Sequence, residues 1–253
     1  MNTECVKQQL YKLRLTTAAS ELEIVLREEK KAVSLNWISD LLEREIESRK
    51  LKSLETRIKK AKFPEITSIE NFDWEFNPKI NQQEVLNLSS LEFVKSNGIA
   101  LFLGQPGTGK THIALAIGLL AARQGYNIYC TSVKKLSHDI MMAKAKQNMD
   151  FLFKKILSCK LWILDDWGVI SMDRDVAEEV FDLLDRRKYS SALILTSNRA
   201  VPEWGEVFPD PVLASAAIDR IFDRATVLKF VGESYRLKGR ISAKVVDGDG
   251  VKM

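Results

Sequence analysis

Histidine is nearly missing from this chain of 253 residues, with His112 and His138 the two it has. That leaves no material for a His-rich metal site and little for a serine, histidine and aspartate arrangement. Cysteine is as scarce. Cys5, Cys130 and Cys159 are odd in number and widely spaced, which suits reduced thiols in a cytosol better than a disulfide framework or a zinc cluster. Long hydrophobic runs are missing too: the longest, Ile113 to Ala122, is about half of what spans a bilayer. The first residues, "MNTECVKQQL", lack an apolar stretch after a basic start, so no secretory signal is expected. Nor does one sign of charge dominate. The 38 basic residues against 34 acidic ones leave a net charge of +4, so any contact with nucleic acid has to be argued from where the charges lie. These absences together predict a soluble cytoplasmic protein with no membrane partner.

Proline and glycine are absent from residues 3 to 62, and apolar positions there recur at three- and four-residue spacing. The pattern predicts a small all-helical domain over 1–62. In "SRKLKSLETRIKKAK", Leu51, Leu54, Ile58 and Ala61 share one face. The rest carries Arg49, Lys50, Lys52, Arg57, Lys59, Lys60 and Lys62 against the single acid Glu55, a local net charge of +6. Such a stripe is either a solvated face or a contact for nucleic-acid phosphates. Pro64 and Pro78 then break the pattern, and 63–80 reads as a linker or an extended arm.

From residue 81 short apolar runs alternate with helical stretches. Strands are expected at 99–104, 127–132, 161–165, 192–197 and 226–231, and helices at 110–124, 133–158, 173–189 and 211–223. Continuous apolar strands separated by helices predict an α/β fold whose five-stranded parallel sheet is covered on both faces. The domain is placed at 81–240, with a flexible tail over 241–253.

"GQPGTGKT" ends the first of these strands and opens a helix, and it matches G-x-x-x-x-G-K-[ST]. Gly104, Gln105, Pro106, Gly107, Thr108 and Gly109 would curl so that backbone N–H groups meet phosphate oxygens at the positive end of the helix. Lys110 would reach the outer phosphates, Thr111 would offer its hydroxyl to magnesium, and His112 follows inside the cradle. A second feature is "LWILDDWG", whose twin acids close an apolar strand. Asp165 is placed to hold magnesium, directly or through water. Asp166 either orients and deprotonates the attacking water or caps the turn before Gly168. The expected cofactors are ATP and Mg²⁺.

The chain from about residue 8 to 240 resembles the IstB-type AAA+ ATPases, helper proteins of insertion-sequence transposition related to the DnaC-type helicase loaders. The resemblance is carried by "GQPGTGKTHIALAIGLLAARQGY", "LWILDDWG", "LILTSNR", "EWGEVFPDPVLASAAIDRI" and "GESYRLKGR", in that order. It implies an AAA+ P-loop core, with the usual C-terminal helical lid absent or vestigial because 22 residues follow Val231. It implies that Asn198 positions the attacking water, where a plain turn cap is the alternative. It also implies that Arg220 serves as a finger on the neighbouring subunit's nucleotide, with Arg224 the nearest competitor and an ion pair to Asp219 or Asp223 the alternative. Sites would then be composite, in a homo-oligomer.

Most AAA+ ATPases have glutamate where this chain has Asp166, so hydrolysis is expected to be slow and stimulated by DNA or a partner. Arg236 is the stand-in for a second sensor. The resemblance further implies duplex DNA bound with little sequence preference, through the basic helix and through Lys134 and Lys135, and a transposase of the same element as partner. A helicase loader, or a nucleotide-gated DNA-binding switch with little turnover, would use the same core.

Overall fold

A computed structural model of the chain describes residues 3–28 and 35–238. The expected tail over 241–253, and Gly239 and Arg240 at the end of "GESYRLKGR", lie outside the described residues. Contacts divide the chain into two compact units, one ending at Thr56 and the other beginning at Arg57.

The first unit is helical, as the lack of proline and glycine predicts. It contains α1 (Thr3–Lys12), α2 (Thr16–Glu28) and most of α3 (Asn36–Ala61). Val6, Leu10, Ala19 and Leu35 form a small core, with Leu22, Leu26, Ile38 and Leu42 packed against it at helical spacing. One buried polar pair sits within it: the Ser39 hydroxyl donates to Gln9 Oε1 at 3.0 Å. Arg49 donates to the Leu13 carbonyl at 3.1 Å and pairs with Glu45 at 2.6 Å, so the guanidinium serves the carbonyl end of α1.

In the second unit two short helices, α4 (Gln82–Ser89) and α5 (Glu92–Lys95), lead into a sheet whose strands are all parallel. The strands are β1 (Ile99–Gly104), β2 (Ile128–Ser132), β3 (Leu161–Trp167), β4 (Ala192–Ser197) and β5 (Ala225–Phe230), in the order β2-β3-β4-β1-β5. Central β4 is buried along its whole length, whereas Thr226, Val227 and Lys229 of edge strand β5 are exposed. That difference explains why β4 reads as an unbroken apolar run.

The crossovers are α6 (Lys110–Arg123), α7 (Val133–Ala145), α8 (Met149–Leu157), α9 (Arg174–Arg187) and α10 (Pro211–Phe222). The single helix expected over 133–158 is two. It breaks at 146–148, where Gln147 takes a left-handed backbone (φ +53°) that a continuing helix cannot contain. Asp210 starts α10, its carboxylate accepting from the N–H groups of Val212 and Leu213, with Pro211 at the first helical position. Segment 63–80 lies as an arm along the second unit, with the Thr67 hydroxyl donating to the His112 carbonyl at 3.0 Å. Among the described residues, no helix is long and apolar enough to cross a membrane.

Candidate functional site

The carboxyl ends of β1, β3 and β4 meet at one edge of the sheet, the usual place for ligands in parallel α/β folds. There the loop from Gly104 to Gly109 joins β1 to α6. Gly107 (φ +80°) and Gly109 (φ +98°) take backbone conformations that side chains disfavour. A Cβ on Gly109 would lie 2.3 Å from Phe72 Cε2, so glycine is also needed for the close approach of the arm. The Lys110 ammonium is buried and donates to the carbonyls of Gly104 (2.8 Å) and Gln105 (2.7 Å). Burial pushes its pKa down to about 8, against the opposing pull of Asp166 and Asp165. A nearby phosphate would reverse that shift.

The twin acids owe their placement to a bulge. Leu164 pairs with Leu195 and Trp167 with Ser197, so β3 uses one residue more than β4 between these rungs. Asp166 absorbs it with a left-handed backbone (φ +60°). In a regular strand consecutive side chains point to opposite faces, but here both carboxylates line the same cavity. Buried Thr196 fastens the bulge. Its hydroxyl donates to Asp165 Oδ1 and accepts from the Asp166 N–H at 3.1 Å.

The Thr111 hydroxyl donates to the same Asp165 oxygen at 2.9 Å, and Asn198 Nδ2 donates to Asp166 Oδ1 at 3.3 Å. Burial, and then the charge of Asp165, raise the pKa of Asp166 above the ordinary carboxylate value. A hydroxyl and a carboxylate brought together beside a phosphate loop fit Mg²⁺, which takes few protein oxygens and keeps water and phosphate as its other ligands.

The cavity above these groups has a volume of about 550 Å³, within the range of small-molecule sites. Of its far wall, only Arg236, the stand-in for a second sensor, was anticipated. Phe72, Phe76 and Asn77 come from the arm, and Tyr235 and Arg236 from the stretch after β5. Asn77 Nδ2 donates to the Glu233 carbonyl (3.1 Å) while its oxygen accepts from the Glu233 N–H (3.0 Å), which joins the two segments. Phe76 and Tyr235 meet edge to face at 5.1 Å, and Lys238 pairs with Asp73 at 2.8 Å. Tyr235 N–H donates to the Gly107 carbonyl at 2.9 Å. His112 lines the cavity, and its ring nitrogen is bound to the Ser68 carbonyl at 2.9 Å. One signal for this wall lay in the sequence: Phe63, Phe72, Trp74 and Phe76 are a dense aromatic set for a linker.

Arg220 lies outside the cavity lining. Its Nε donates to Asp185 at 2.7 Å and its NH1 to Asp219 at 3.0 Å, on the face shared by α9 and α10. Of the basic candidates, Arg57 Nε donates to the Ala122 carbonyl near the end of α6 (2.9 Å), and Lys135 pairs with Asp139 at 3.0 Å. Lys50, Lys52, Lys59, Lys60, Lys62 and Lys134 are exposed.

A sequence profile of the IstB-like ATP binding protein family matches residues 7–243. The IS21 insertion-sequence ATP-binding protein of Pseudomonas aeruginosa is 37% identical over 205 residues, covering 81% of this chain and 77% of its own. Among solved structures, AMPPCP-bound DnaA from Aquifex aeolicus aligns with a TM-score of 0.54 at 20% identity, over 69% of this chain and 53% of its own. The DnaC helicase loader aligns at 0.51 and 20%, over 62% of this chain and 98% of its own. These two likenesses show a shared fold, that of AAA+ P-loop NTPases. The match over nearly the whole length, together with the insertion-sequence relative, means that the chain belongs to the IstB-like ATP-binding proteins of IS21-type insertion sequences.

Proposed function

We propose that the protein is an ATPase that assembles on duplex DNA with ATP and recruits or activates the transposase of its element. The observation that carries the ATPase reading is the bulge at Asp165 and Asp166, which puts two carboxylates, the Thr111 hydroxyl and the Asn198 amide at one end of the glycine loop. In this reading the loop N–H groups from Gly104 to Gly109 and the Lys110 ammonium bind the phosphates. Thr111 and Asp165 would hold Mg²⁺, which when bound offsets charge on the phosphate oxygens. Asp166 accepts the proton of the attacking water, and Asn198 orients that carboxylate. The short side chain of Asp166 fits a slow enzyme that partners accelerate.

Arg220 completes the site of the neighbouring protomer. Its place on α10, outside the lining of its own cavity, supports a role in trans, for which it would have to leave its ion pairs with Asp185 and Asp219. Duplex DNA would meet the basic stripe of α3 and the start of α7. That assignment rests on the charge pattern and on the insertion-sequence relatives.

The test is ATP turnover on duplex DNA. Arg220→Ala is expected to lower kcat by about 10³-fold or more, with nucleotide affinity kept. Unchanged turnover would remove Arg220 from the mechanism. Steady binding of a replicative helicase with preference for single strands would favour the loader reading, which the DnaC-like fold keeps in view.

A further inference from the structure

The stretch "EWGEVF" has no part in the phosphate or magnesium chemistry described so far. It lies in a short 3-10 helix, Val201–Val207, directly after the loop that bears Asn198. Trp204 anchors it and is fully buried. The indole N–H of Trp204 donates to Ser197 Oγ at 3.2 Å. Its ring meets Trp167 edge to face at 6.0 Å and Phe222 at 5.9 Å. Trp167 follows the twin acids, and Phe222 ends α10, so the indole is held from two sides. An ion pair between Arg199 and Glu206 at 2.9 Å, and a bond from the Met172 N–H to the Val207 carbonyl at 2.9 Å, fasten the rest of the turn.

Ser197 is also fully buried, and its hydroxyl is used completely. A hydroxyl has one proton to give and two lone pairs to fill. The proton goes to the Trp167 carbonyl at 2.8 Å, nearer than the Arg199 carbonyl at 3.2 Å. The N–H groups of Arg199 (3.1 Å) and Trp204 (3.2 Å) fill the lone pairs. One oxygen thereby ties the residue after Asp166 to the residue after Asn198. Asn198 depends on that tie. Among the described residues its side chain makes one hydrogen bond, to Asp166 at 3.3 Å, which is long for an amide donor. Its place is therefore set by the backbone on either side, at Ser197 and Arg199.

Packing does not require the bond between Trp204 and Ser197. Trp167 is buried as deeply, yet its indole N–H finds no partner among the described residues, so that ring contributes volume. Trp204 differs by aiming its N–H at the oxygen that grips the Asn198 loop. Phenylalanine would fill much of the same space and offer no N–H. We infer that Trp204 is a positioning residue for ATP hydrolysis: through Ser197 it holds the Asn198 amide against Asp166, where the attacking water is oriented. The inference rests on the ATPase reading above and adds to it the buried pair that sets the amide.

The test is steady-state ATP turnover by the full chain on duplex DNA, with nucleotide affinity and the urea midpoint measured on the same samples. Trp204→Phe should lower kcat by roughly tenfold to a hundredfold, the scale of a small misplacement at a reacting centre. KM for ATP and nucleotide affinity should stay within about twofold. In a chain that already carries Asn198→Ala, the same substitution should change kcat by less than about twofold, because the group it positions is gone. A tryptophan that serves only the core would give equal losses in both backgrounds, and that result would overturn the inference.

Should Trp204→Phe fold poorly, Ser197→Ala removes the bond from its other end and carries the same two expectations. Wild-type protein without ATP turnover would sink the ATPase reading and this inference together. Wild-type turnover untouched by Asn198→Ala would remove the amide from the mechanism and its brace with it. Turnover that depends on Asn198 but not on Trp204 or Ser197 would overturn the brace alone.

Discussion

The hydroxyl of Thr196 holds two neighbouring groups at once, the carboxylate of Asp165 and the backbone N–H of Asp166. Without it the bulge would keep its extra residue but lose the bonds that aim it. Thr196→Val nearly preserves shape and leaves a sheltered N–H unsatisfied, so a stability loss of about 1–3 kcal/mol is expected in urea titration. Turnover should fall at least tenfold with nucleotide affinity little changed, and Thr196→Ser should recover most of it. Turnover equal to wild type in the valine variant would mean that the acids hold their places unaided. At this scale the sequence was legible where chemistry stands alone. Lys110, Thr111 and Asp165 declare themselves by residue type at the end of an apolar strand. Thr196 does not, because within "ALILTS" it reads as one more strand residue, and only the register of β3 against β4 gives it a task.

Among the elements, the glycine loop and the arm constrain each other. Gly109→Ala would drive a methyl group to 2.3 Å from Phe72 in a backbone conformation that already disfavours it. The loop or the arm must then give way. A loss of nucleotide binding of a hundredfold or more is expected by calorimetry, and Phe72→Ala in the same chain should recover part of it. The junction of α7 and α8 behaves in the opposite sense. Gln147→Gly relieves a left-handed residue with no other contact at stake, so a gain of a few tenths to about 1 kcal/mol is expected from the urea midpoint. A loss there would mean that the glutamine side chain contributes something beyond its backbone.

The strands and most crossovers were readable because buried parallel strands are apolar throughout and amphipathic helices keep their period. The helix break was not. "AKAKQNMD" contains neither glycine nor proline, and its polar residues suit an exposed helix surface as well as a turn. The arm hid for a different reason: its contacts lie far off in the chain, and periodicity reports only on neighbours.

For the molecule as a whole, the role in trans proposed for Arg220, which is absent from the lining of its own cavity, would make assembly a condition of turnover. Lys110→Ala removes the phosphate grip and Arg220→Ala removes the finger, so each protein alone should be nearly inert. Mixed in equal amounts on DNA, they should regain turnover at roughly a quarter of the interfaces, those that join an intact grip to an intact finger across a head-to-tail contact. No recovery in the mixture would argue that Arg220 acts only through Asp185, within its own subunit.

The paired amide of Asn77 with Glu233 joins positions 156 residues apart. During synthesis the glycine loop leaves the ribosome well before the residues that wall its cavity. A nascent chain that has made β1 to β4 still lacks one wall of the cavity, until the stretch around Tyr235 has emerged and docked on Gly107. On the proposed nucleotide site, a chain that stops short of Tyr235 is therefore expected to bind ATP more weakly than the full chain, however well its first four strands are formed.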